Sequence, residues 1–496
     1  MLQSFSNMPV YMMLLQPLNF KSFIKTKLSL IIILIFYCTS SSAQVMPVLE
    51  ISEVIDSIKR KKPPVEVPRP KHFERAALQT GISLMAPYIY DKWVVNQDYA
   101  DVNLSTMGRN LKLSAWEWDR DPFQTNQFGH PYHGSLYFNS FRANGYNFWE
   151  SIPGTVGGTL VWELLAENER PSVNDAINTT FGGIVLGEMT YRLSNMIVNN
   201  RGRGFRRNGS EVLAFIVSPM NGLNRIMTGK WGKSTRNTTE RDSSKVLAEF
   251  DLGYRRYNAD NRGRFGWYGH MKFLYGTPYQ GYRTPFSNIV VNIEVGKDDS
   301  SAVNLISAYG SLAGWRIRSN KEINHLAVLS ANYDYINNQS FFYGGQSVKI
   351  NLISEFTLPK KFKLTTNIGA GPILLGAVPD DHIFNMRNYD YGVGFAVNGG
   401  GTIALSDKIC YGIHYNGGYL NTVNGNPSHY YLHALSNELD VKVIKNLSLV
   451  AESGYFTLQG NYKDFPDVVK NYPYVRASVR YTVNFNNGDR YKFKPR

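Results

Sequence analysis

The sequence predicts a mainly β protein: a transmembrane antiparallel β-barrel of about 12 strands, preceded by a Gly-rich helical module that plugs or caps it. Aromatic residues make up 14% of the 496 residues, with 32 Tyr and 43 Gly, as in the girdles and tight turns of membrane barrels. The mean hydropathy of −0.28 excludes a bundle of membrane-spanning helices. Beyond Val246, apolar residues recur with period two, which indicates strands with one apolar and one polar face.

The period-two pattern is clearest in YVRASVRYTVNF at 474–485, where apolar side chains alternate with Arg, Ser, Thr and Asn. The same rule predicts strands that begin near residues 246, 265, 286, 302, 322, 340, 361, 389, 408, 429, 446 and 472. An even number of strands lets both ends of the barrel lie on the periplasmic side. The expected long links are 376–388, 422–427 and 458–470, and the expected short ones are 358–360, 405–408 and 444–445.

The N-terminal residues 1–43 have the pattern of a secretory signal peptide. Three Lys residues precede the apolar run Leu28–Cys38, and Ser41 and Ala43 provide small residues for cleavage. The run of about 11 residues is shorter than the roughly 20 that a spanning helix needs, so we expect a cleaved signal and export. Cleavage leaves Cys410 as the one cysteine, which excludes an intramolecular disulfide.

The composition along the chain predicts six segments. They are a signal peptide (1–43), a Pro-rich basic tether (44–76), the helical module (77–230), a polar linker (231–245), the barrel (246–485) and a basic tail (486–496). The net charge is +14, but an exported chain rarely meets nucleic acid, so we expect outer-membrane lipids as its anionic neighbours. We expect no nucleic-acid partner, and we expect the barrel-assembly machinery of a Gram-negative bacterium as a partner during biogenesis.

Five motifs distinguish the helical module. They are HPYHG at 130–134, FWES at 148–151, WELLAENE at 162–169, PSVND at 171–175 and LGEMTYRLS at 186–194. Together they resemble an uncharacterised family called domain of unknown function 3943. The resemblance extends over about residues 100–200. It implies an exported bacterial envelope protein and no known reaction.

The module also contains many ionisable residues at otherwise apolar positions. At helical spacing Glu163 and Glu167 share a face, as do Glu188 and Arg192. One interpretation is structural: such groups pair with one another and with inward-facing strand residues, while the Gly residues let helices approach closely. The residues assigned to this polar network are His130, Glu150, Glu163, Glu167, Asp175, Glu188 and Arg192.

A second interpretation is catalytic. His133, Ser135 and Asn147 have the order and offsets of the His, Ser and Asn of the outer-membrane phospholipase, which this chain also resembles in its twelve predicted strands. A serine nucleophile needs an adjacent base, and the His needs a third group that fixes its tautomer. Asn139 or Asn144 would serve equally well as that third group.

A third interpretation is a metal site formed by His130 and His133 with Glu150 or Glu163, since imidazole and carboxylate groups are suitable zinc ligands. We expect no other cofactor. The leading hypothesis is a non-enzymatic plugged barrel with a role in transport or envelope structure. The alternative is a lipid-modifying hydrolase of the phospholipase or lipid A deacylase type.

Overall fold

The computed structural model describes residues 69–484, except 199, 201–203, 235–245, 259–262, 264, 297–300, 341 and 358–361. The predicted signal peptide, most of the predicted tether and the basic tail therefore lie outside the described residues. The first described helix begins at Phe73, four positions before the predicted start of the helical module.

The helical module consists of short helices interrupted by π-helical segments. In chain order the helices are α1 (Phe73–Tyr90), α2 (Leu104–Asn110), α3 (His130–Arg142), α4 (Phe148–Val161), α5 (Val173–Ile177), α6 (Gly183–Ile197), α7 (Gly204–Val217) and α8 (Pro219–Met227). Among the described residues, no helix has both the length and the hydropathy that a membrane crossing would need.

Twelve antiparallel strands form a closed barrel in which β1 pairs with β12. They are β1 (Val246–Tyr257), β2 (Phe265–Tyr275), β3 (Ile289–Gly296), β4 (Val303–Ser319), β5 (Ile323–Asn337), β6 (Phe342–Thr357), β7 (Lys363–Phe384), β8 (Arg387–Ala404), β9 (Ile409–Asn424), β10 (Ser428–Ile444), β11 (Leu447–Tyr462) and β12 (Val468–Asn484). The barrel and its N-terminal helical module confirm the predicted fold class. Each strand begins within four residues of its predicted start.

The predicted long links are wrong, because the strands continue through them. Strand β7 extends to Phe384, which leaves only residues 385–386 before β8. Residues 425–427 connect β9 to β10, and residues 463–467 connect β11 to β12. These segments contain Gly, Pro, Asn or Asp residues, which are typical of loops, but part of the backbone in each of them pairs with neighbouring strands.

The inward face of the barrel is identified by side chains that meet across several strands. Arg476 on β12 donates to Glu294 on β3 over a distance of 2.7 Å, although two strands lie between them. Tyr462 on β11 donates to Asp380 on β7 at 2.8 Å, with three strands between them. Only the concave side of the wall permits such contacts, so the charged side chains line the lumen.

The outward face carries the alternate residues of each strand, and these are mainly apolar. Leu252 and Tyr254 on β1 are 67% and 69% exposed, while their neighbour Asp251 is buried on the inward face. Residues that lie opposite one another on adjacent strands share this outward face. For example, Leu252 lies opposite Val479, and Val479 lies opposite Leu449. This arrangement is the alternation of a barrel with a polar interior and apolar surroundings.

The helical module packs against the outward face and does not enter the lumen. Phe123 stacks on Tyr335 of β5 with ring centroids 5.6 Å apart, and Trp118 packs on Tyr391 of β8 at 5.3 Å. In the strand register Tyr335 lies opposite Gly344, Gly344 opposite Ala377, and Ala377 opposite Tyr391. All four residues therefore lie on the outward face of the barrel. The prediction that the module plugs or caps the barrel is therefore corrected: periodicity marked the two faces of each strand without indicating which face the helices cover.

Part of the connection between β2 and β3 (276–288) enters the lumen. Its residues Tyr279 and Tyr282 pack against an apolar cluster of inward-facing residues that includes Leu326, Val328 and Ile353. This connection therefore occupies part of the lumen at the end where β2 stops and β3 begins.

Candidate functional site

The lumen contains a network of ion pairs centred on Arg480. Its guanidinium donates to Asp251 at 2.8 and 3.0 Å, to Glu438 at 2.9 Å and to Asp440 at 3.0 Å. His270 Nδ1 lies 3.0 Å from Asp251 Oδ2. These contacts join strands β1, β2, β10 and β12 across the inner wall.

A second group of ion pairs is centred on Arg476, four positions before Arg480 on the same inward face. Arg476 donates to Glu452 at 2.7 Å as well as to Glu294, and Glu294 also binds Arg255. Because each carboxylate has a guanidinium partner, the desolvation cost of these buried charges is offset by pairing. The Arg476–Glu294 contact joins inward-facing side chains of β12 and β3, which are separated by two strands.

Within the helical module, Glu188 is the centre of a buried ion-pair cluster. It accepts hydrogen bonds from Arg142 at 2.6 and 2.9 Å and from Arg192 at 2.8 Å. The sequence indicated the Glu188–Arg192 pair, one helical turn apart, but Arg142 comes from α3. Arg192 also donates to the backbone oxygen of Pro285 at 2.8 Å, which ties the cluster to the barrel rim.

The three residues of the predicted hydrolase site make separate contacts. His133 Nε2 lies 2.9 Å from Tyr137 Oη and 3.0 Å from the backbone oxygen of Ser83. Ser135 Oγ donates to the backbone oxygen of Tyr132 in its own helix at 2.6 Å. Residues two apart on a helix point in different directions, so α3 does not place Ser135 against His133.

Asn147, the third of those residues, begins helix α4. Its Oδ1 accepts the backbone N–H of Glu150 at 3.0 Å, and Glu150 Oε2 accepts the backbone N–H of Asn147 at 3.0 Å. This reciprocal pair is a capping box. Glu150 also pairs with Lys71 at 2.7 Å, so the structure places it in a helix cap and not beside either histidine.

Glu163 and Glu167 lie where α4 ends in the π-helical segment Trp162–Ala166. Glu163 Oε2 accepts the backbone N–H of Ser172 at 2.8 Å, and Glu167 Oε1 accepts the Trp162 indole N–H at 2.6 Å. Trp162 packs edge-on against the His133 ring at 4.5 Å. These carboxyl groups therefore face the same buried region as His133.

His130 belongs to a compact group with Asp119 and Asp175. His130 Nε2 lies 3.4 Å from Asp175 Oδ1, and one nitrogen or oxygen from each of the three side chains lies within 4.8 Å of the other two. Such a set could hold a divalent metal ion. The sequence indicated His130 and Asp175, but Asp119 replaces the predicted ligands His133, Glu150 and Glu163.

Two chain segments meet to build this group. A parallel bridge joins Glu117 to Ser172, and the Ser172 hydroxyl accepts the backbone N–H of Asp175 at 3.2 Å to begin α5. Asn174 accepts the backbone N–H of Asp119 at 3.1 Å and donates to its carboxylate at 2.8 Å. The PSVND motif is therefore the element that aligns both aspartates.

The group adjoins the outer wall of strand β8. Asn126 donates from Nδ2 to Asp119 Oδ1 at 2.7 Å and to Tyr389 Oη at 2.9 Å. Tyr389 donates to the backbone oxygen of Asp121 at 2.7 Å, and Arg387 donates to the backbone oxygen of Asp119 at 2.9 Å. The segment that carries Asp119 is thus fixed to the barrel.

Burial dominates the protonation of these helical groups. It lowers the pKa of His130 and lowers the pKa of His133 to about 4. It raises the pKa of Asp121 to about 6 and the pKa of Asp175 well above its usual range, with the charge of Asp119 adding to that rise. Neutral imidazoles are therefore favoured at both histidines at neutral pH.

Glu163 gives a pH-dependent prediction. Burial first, and then Glu167, raise the pKa of Glu163 well above 4.5. Above pH 4.5 the unfolded chain releases this proton while the folded chain retains it, so stability falls as pH rises. We expect Glu163→Gln to remove this loss, about 1.4 kcal/mol for each pH unit above 4.5 over which the folded carboxyl keeps its proton, in thermal unfolding followed by helical circular dichroism.

The matched control is Glu150→Gln, which changes an exposed carboxylate. The Lys71 ammonium holds the pKa of Glu150 below its usual range, so its charge is already present throughout pH 5 to 8. Parallel pH curves for wild type and Glu163→Gln would contradict the assignment of a proton to Glu163.

Residues 115–220 match the model of a family described as Domain of unknown function (DUF3943), which confirms the resemblance of the five motifs. The matched segment includes Asp119, His130 and Asp175 as well as His133 and Glu163. The sequence of the chain matches no curated protein.

Several solved barrels resemble the chain in fold. The NanC porin has 8% identity and a TM-score of 0.29, over 47% of this chain and 98% of the porin. An outer membrane channel of the COG4313 type from Pseudomonas putida F1 has 10% identity and a TM-score of 0.29, over 49% and 95% of the two chains. The KdgM porin in complex with disordered oligogalacturonate has 11% identity and a TM-score of 0.24, over 47% and 98%. At these values no property of those channels transfers to this chain.

Proposed function

We propose that the chain is an integral outer-membrane barrel that conducts small polar solutes through a narrow, charge-lined lumen and carries its helical module in the lipid layer beside the barrel. The proposal rests on the difference between the two faces of the barrel wall: the inward face carries paired charges, and the outward face carries exposed apolar side chains. An aqueous interior and a hydrocarbon exterior account for this division. The proposal includes export by a signal peptide that is cleaved after residue 43 and insertion into the outer membrane by the barrel-assembly machinery.

The helical module supports the same surroundings, because several of its helices bury polar side chains and expose apolar ones. On α4 the buried side includes Ser151, Thr155 and Thr159, while Trp149 and Leu160 are exposed. This distribution is the reverse of that in a water-soluble helix. Helices α1 and α7 share it, with exposed residues that include Leu78, Ile82, Met85, Val212, Leu213 and Ile216.

An apolar groove lies between α1 and α4, over α3. It has a volume of about 440 Å³ and is lined by side chains such as Leu84 and Phe141 and by the glycines Gly154, Gly157 and Gly158. The groove is continuous with the exposed apolar faces of both helices. Lipid acyl chains match this surface in chemistry, which supports outer-membrane lipids as the module's partners.

The lumen favours cations. Within the described part of the barrel, its ion-pair networks contain six carboxylates against four permanent cations, with His270 as a titratable member. The carboxylates are those of Glu249, Asp251, Glu294, Glu438, Asp440 and Glu452, and the cations are Arg255, Lys272, Arg476 and Arg480. Rings of acidic groups select cations in pores.

We therefore expect cation-selective conductance from the folded protein in planar bilayers. Under a potassium chloride gradient, Glu438→Gln should move the reversal potential toward zero, because it removes one carboxylate from the lumen. Glu322→Gln in the exposed β4–β5 turn should leave the potential unchanged. Absence of conductance in a correctly folded barrel would contradict transport and would leave an envelope-structural role.

A further inference from the structure

We propose that Asp119, His130 and Asp175 form a binding site for a divalent transition-metal ion, with zinc as the representative ion. The site lies in the helical module, outside the lumen, so it is independent of the proposed transport. It differs from the metal site predicted from the sequence, because His133 contacts Ser83 and Tyr137 instead.

The spacing of the donor atoms fits a shared ion. Zinc lies about 2.0–2.2 Å from nitrogen and oxygen ligands, so two ligands of one ion are separated by about 3 to 4.5 Å. The nearest donor atoms of His130 and Asp175 are 3.4 Å apart, and those of all three residues lie within 4.8 Å of one another. A small adjustment of side chains brings the set to coordination distance.

The charges of the site also call for a cation. Asp119 and Asp175 each interact with the other carboxyl group, and within the part of the chain that the structure describes, His130 is the one basic side chain that forms a salt bridge with either. Arg387 approaches Asp119, but it donates to the backbone oxygen. Two enclosed carboxylates are costly without a positive partner, and a metal ion supplies one.

Asn126 is a second and independent indication of a ligand. Its side chain is completely buried, and among the residues that the structure describes its Oδ1 has no hydrogen-bond partner. Because Nδ2 of the same amide donates to Asp119 Oδ1 at 2.7 Å, the free oxygen lies one amide width from the site. A buried amide oxygen without a donor is costly, so the described residues leave one polar group beside the site unsatisfied.

The ligand chemistry selects the class of ion. Calcium and magnesium prefer all-oxygen sites, whereas an imidazole nitrogen with carboxylates suits zinc and its transition-metal neighbours. Asn174 holds Asp119 by two hydrogen bonds, which orients that carboxylate as supporting residues do in metal sites. Binding would join the Asp119 segment, α3 and α5 at the point where the module contacts β8.

The test uses the full-length protein, folded in detergent, purified without a histidine tag and stripped with a chelator. Zinc is then titrated by calorimetry, and bound metal is counted by mass spectrometry after dialysis. We expect one zinc per chain, with at least a tenfold loss of affinity in His130→Gln and Asp175→Asn. The matched control His133→Gln, three residues along the same helix, should bind zinc as wild type does.

A second measurement distinguishes a metal site from a metal-free cluster when a variant binds nothing. In a metal-free cluster, Asp175→Asn relieves repulsion and raises the melting temperature, and zinc does not change the melting temperature of the wild type. For a metal site, zinc raises the melting temperature of wild type and of His133→Gln but not that of Asp175→Asn. Substoichiometric binding, or equal loss of binding in His133→Gln, would overturn the proposal.

Discussion

Replacing Glu188 by Ala is expected to destabilise the helical module by about 3–5 kcal/mol, the range measured when one partner of a buried ion pair is removed. The carboxylate is completely buried and binds the guanidinium groups of both Arg142 and Arg192. Its loss leaves two buried cations without this carboxylate. The measurement is thermal unfolding by circular dichroism, with the helical signal separated from that of the barrel.

The control for this change is Glu150→Ala, which breaks a salt bridge at the surface. Glu150 and Lys71 are about one third and one half exposed, and such pairs contribute about 0–1 kcal/mol, although the loss of the helix cap adds about 1 kcal/mol. Equal destabilisation by the two substitutions would show that the Glu188 cluster does not support the module.

Gly134→Ala is expected to push α3 away from the segment that contains Thr179 and Gly183. We expect it to lower the free energy of unfolding by about 3 kcal/mol, the upper end of the range for overpacking. A Cβ at Gly134 would lie 1.8 Å from the backbone oxygen of Thr179, and one at Gly183 would lie 2.5 Å from the carbonyl carbon of Gly134. Both obstacles are backbone atoms, which cannot rotate away. Unfolding of the purified variant measures the loss.

Gly157→Ala on α4 is the matched control, because a Cβ there meets nothing within 4 Å. Alanine has the higher helix propensity, so this variant should be more stable by up to about 1 kcal/mol. If both variants were more stable than the wild type, helix propensity and not close backbone packing would explain the result at Gly134.

The barrel could be predicted from the sequence because its signal is local. Alternation from Val246 to Asn484 reports the two environments on either side of each strand, and it gave the positions of the strands within a few residues. Strand ends were harder to predict, since β7 continues through the Pro379 and Asp380 region that resembles a loop. Local composition does not reveal that a neighbouring strand satisfies the backbone there.

The candidate sites depended on contacts between distant segments, and these were only partly predictable. Glu188 and Arg192 lie one turn apart and were paired from spacing alone, but Arg142 is 46 positions away. Asp119 lies in the acidic segment WEWDRD at 116–121, which indicated charge without a partner. The outward docking of the helices depends on register and closure, which periodicity does not contain.

The central claim is that the helical module lies outside the barrel and in the lipid layer. Single cysteines carrying nitroxide spin labels can be placed at Leu78, Leu160, Leu252 and Glu322 in a Cys410→Ser background, with the protein in lipid vesicles. We expect the Leu78 and Leu160 labels to match the outward-facing Leu252 label, with high collision rates for oxygen and low rates for a water-soluble nickel chelate. A nickel response at both helical sites equal to that of the Glu322 turn would place the module in water and contradict the account.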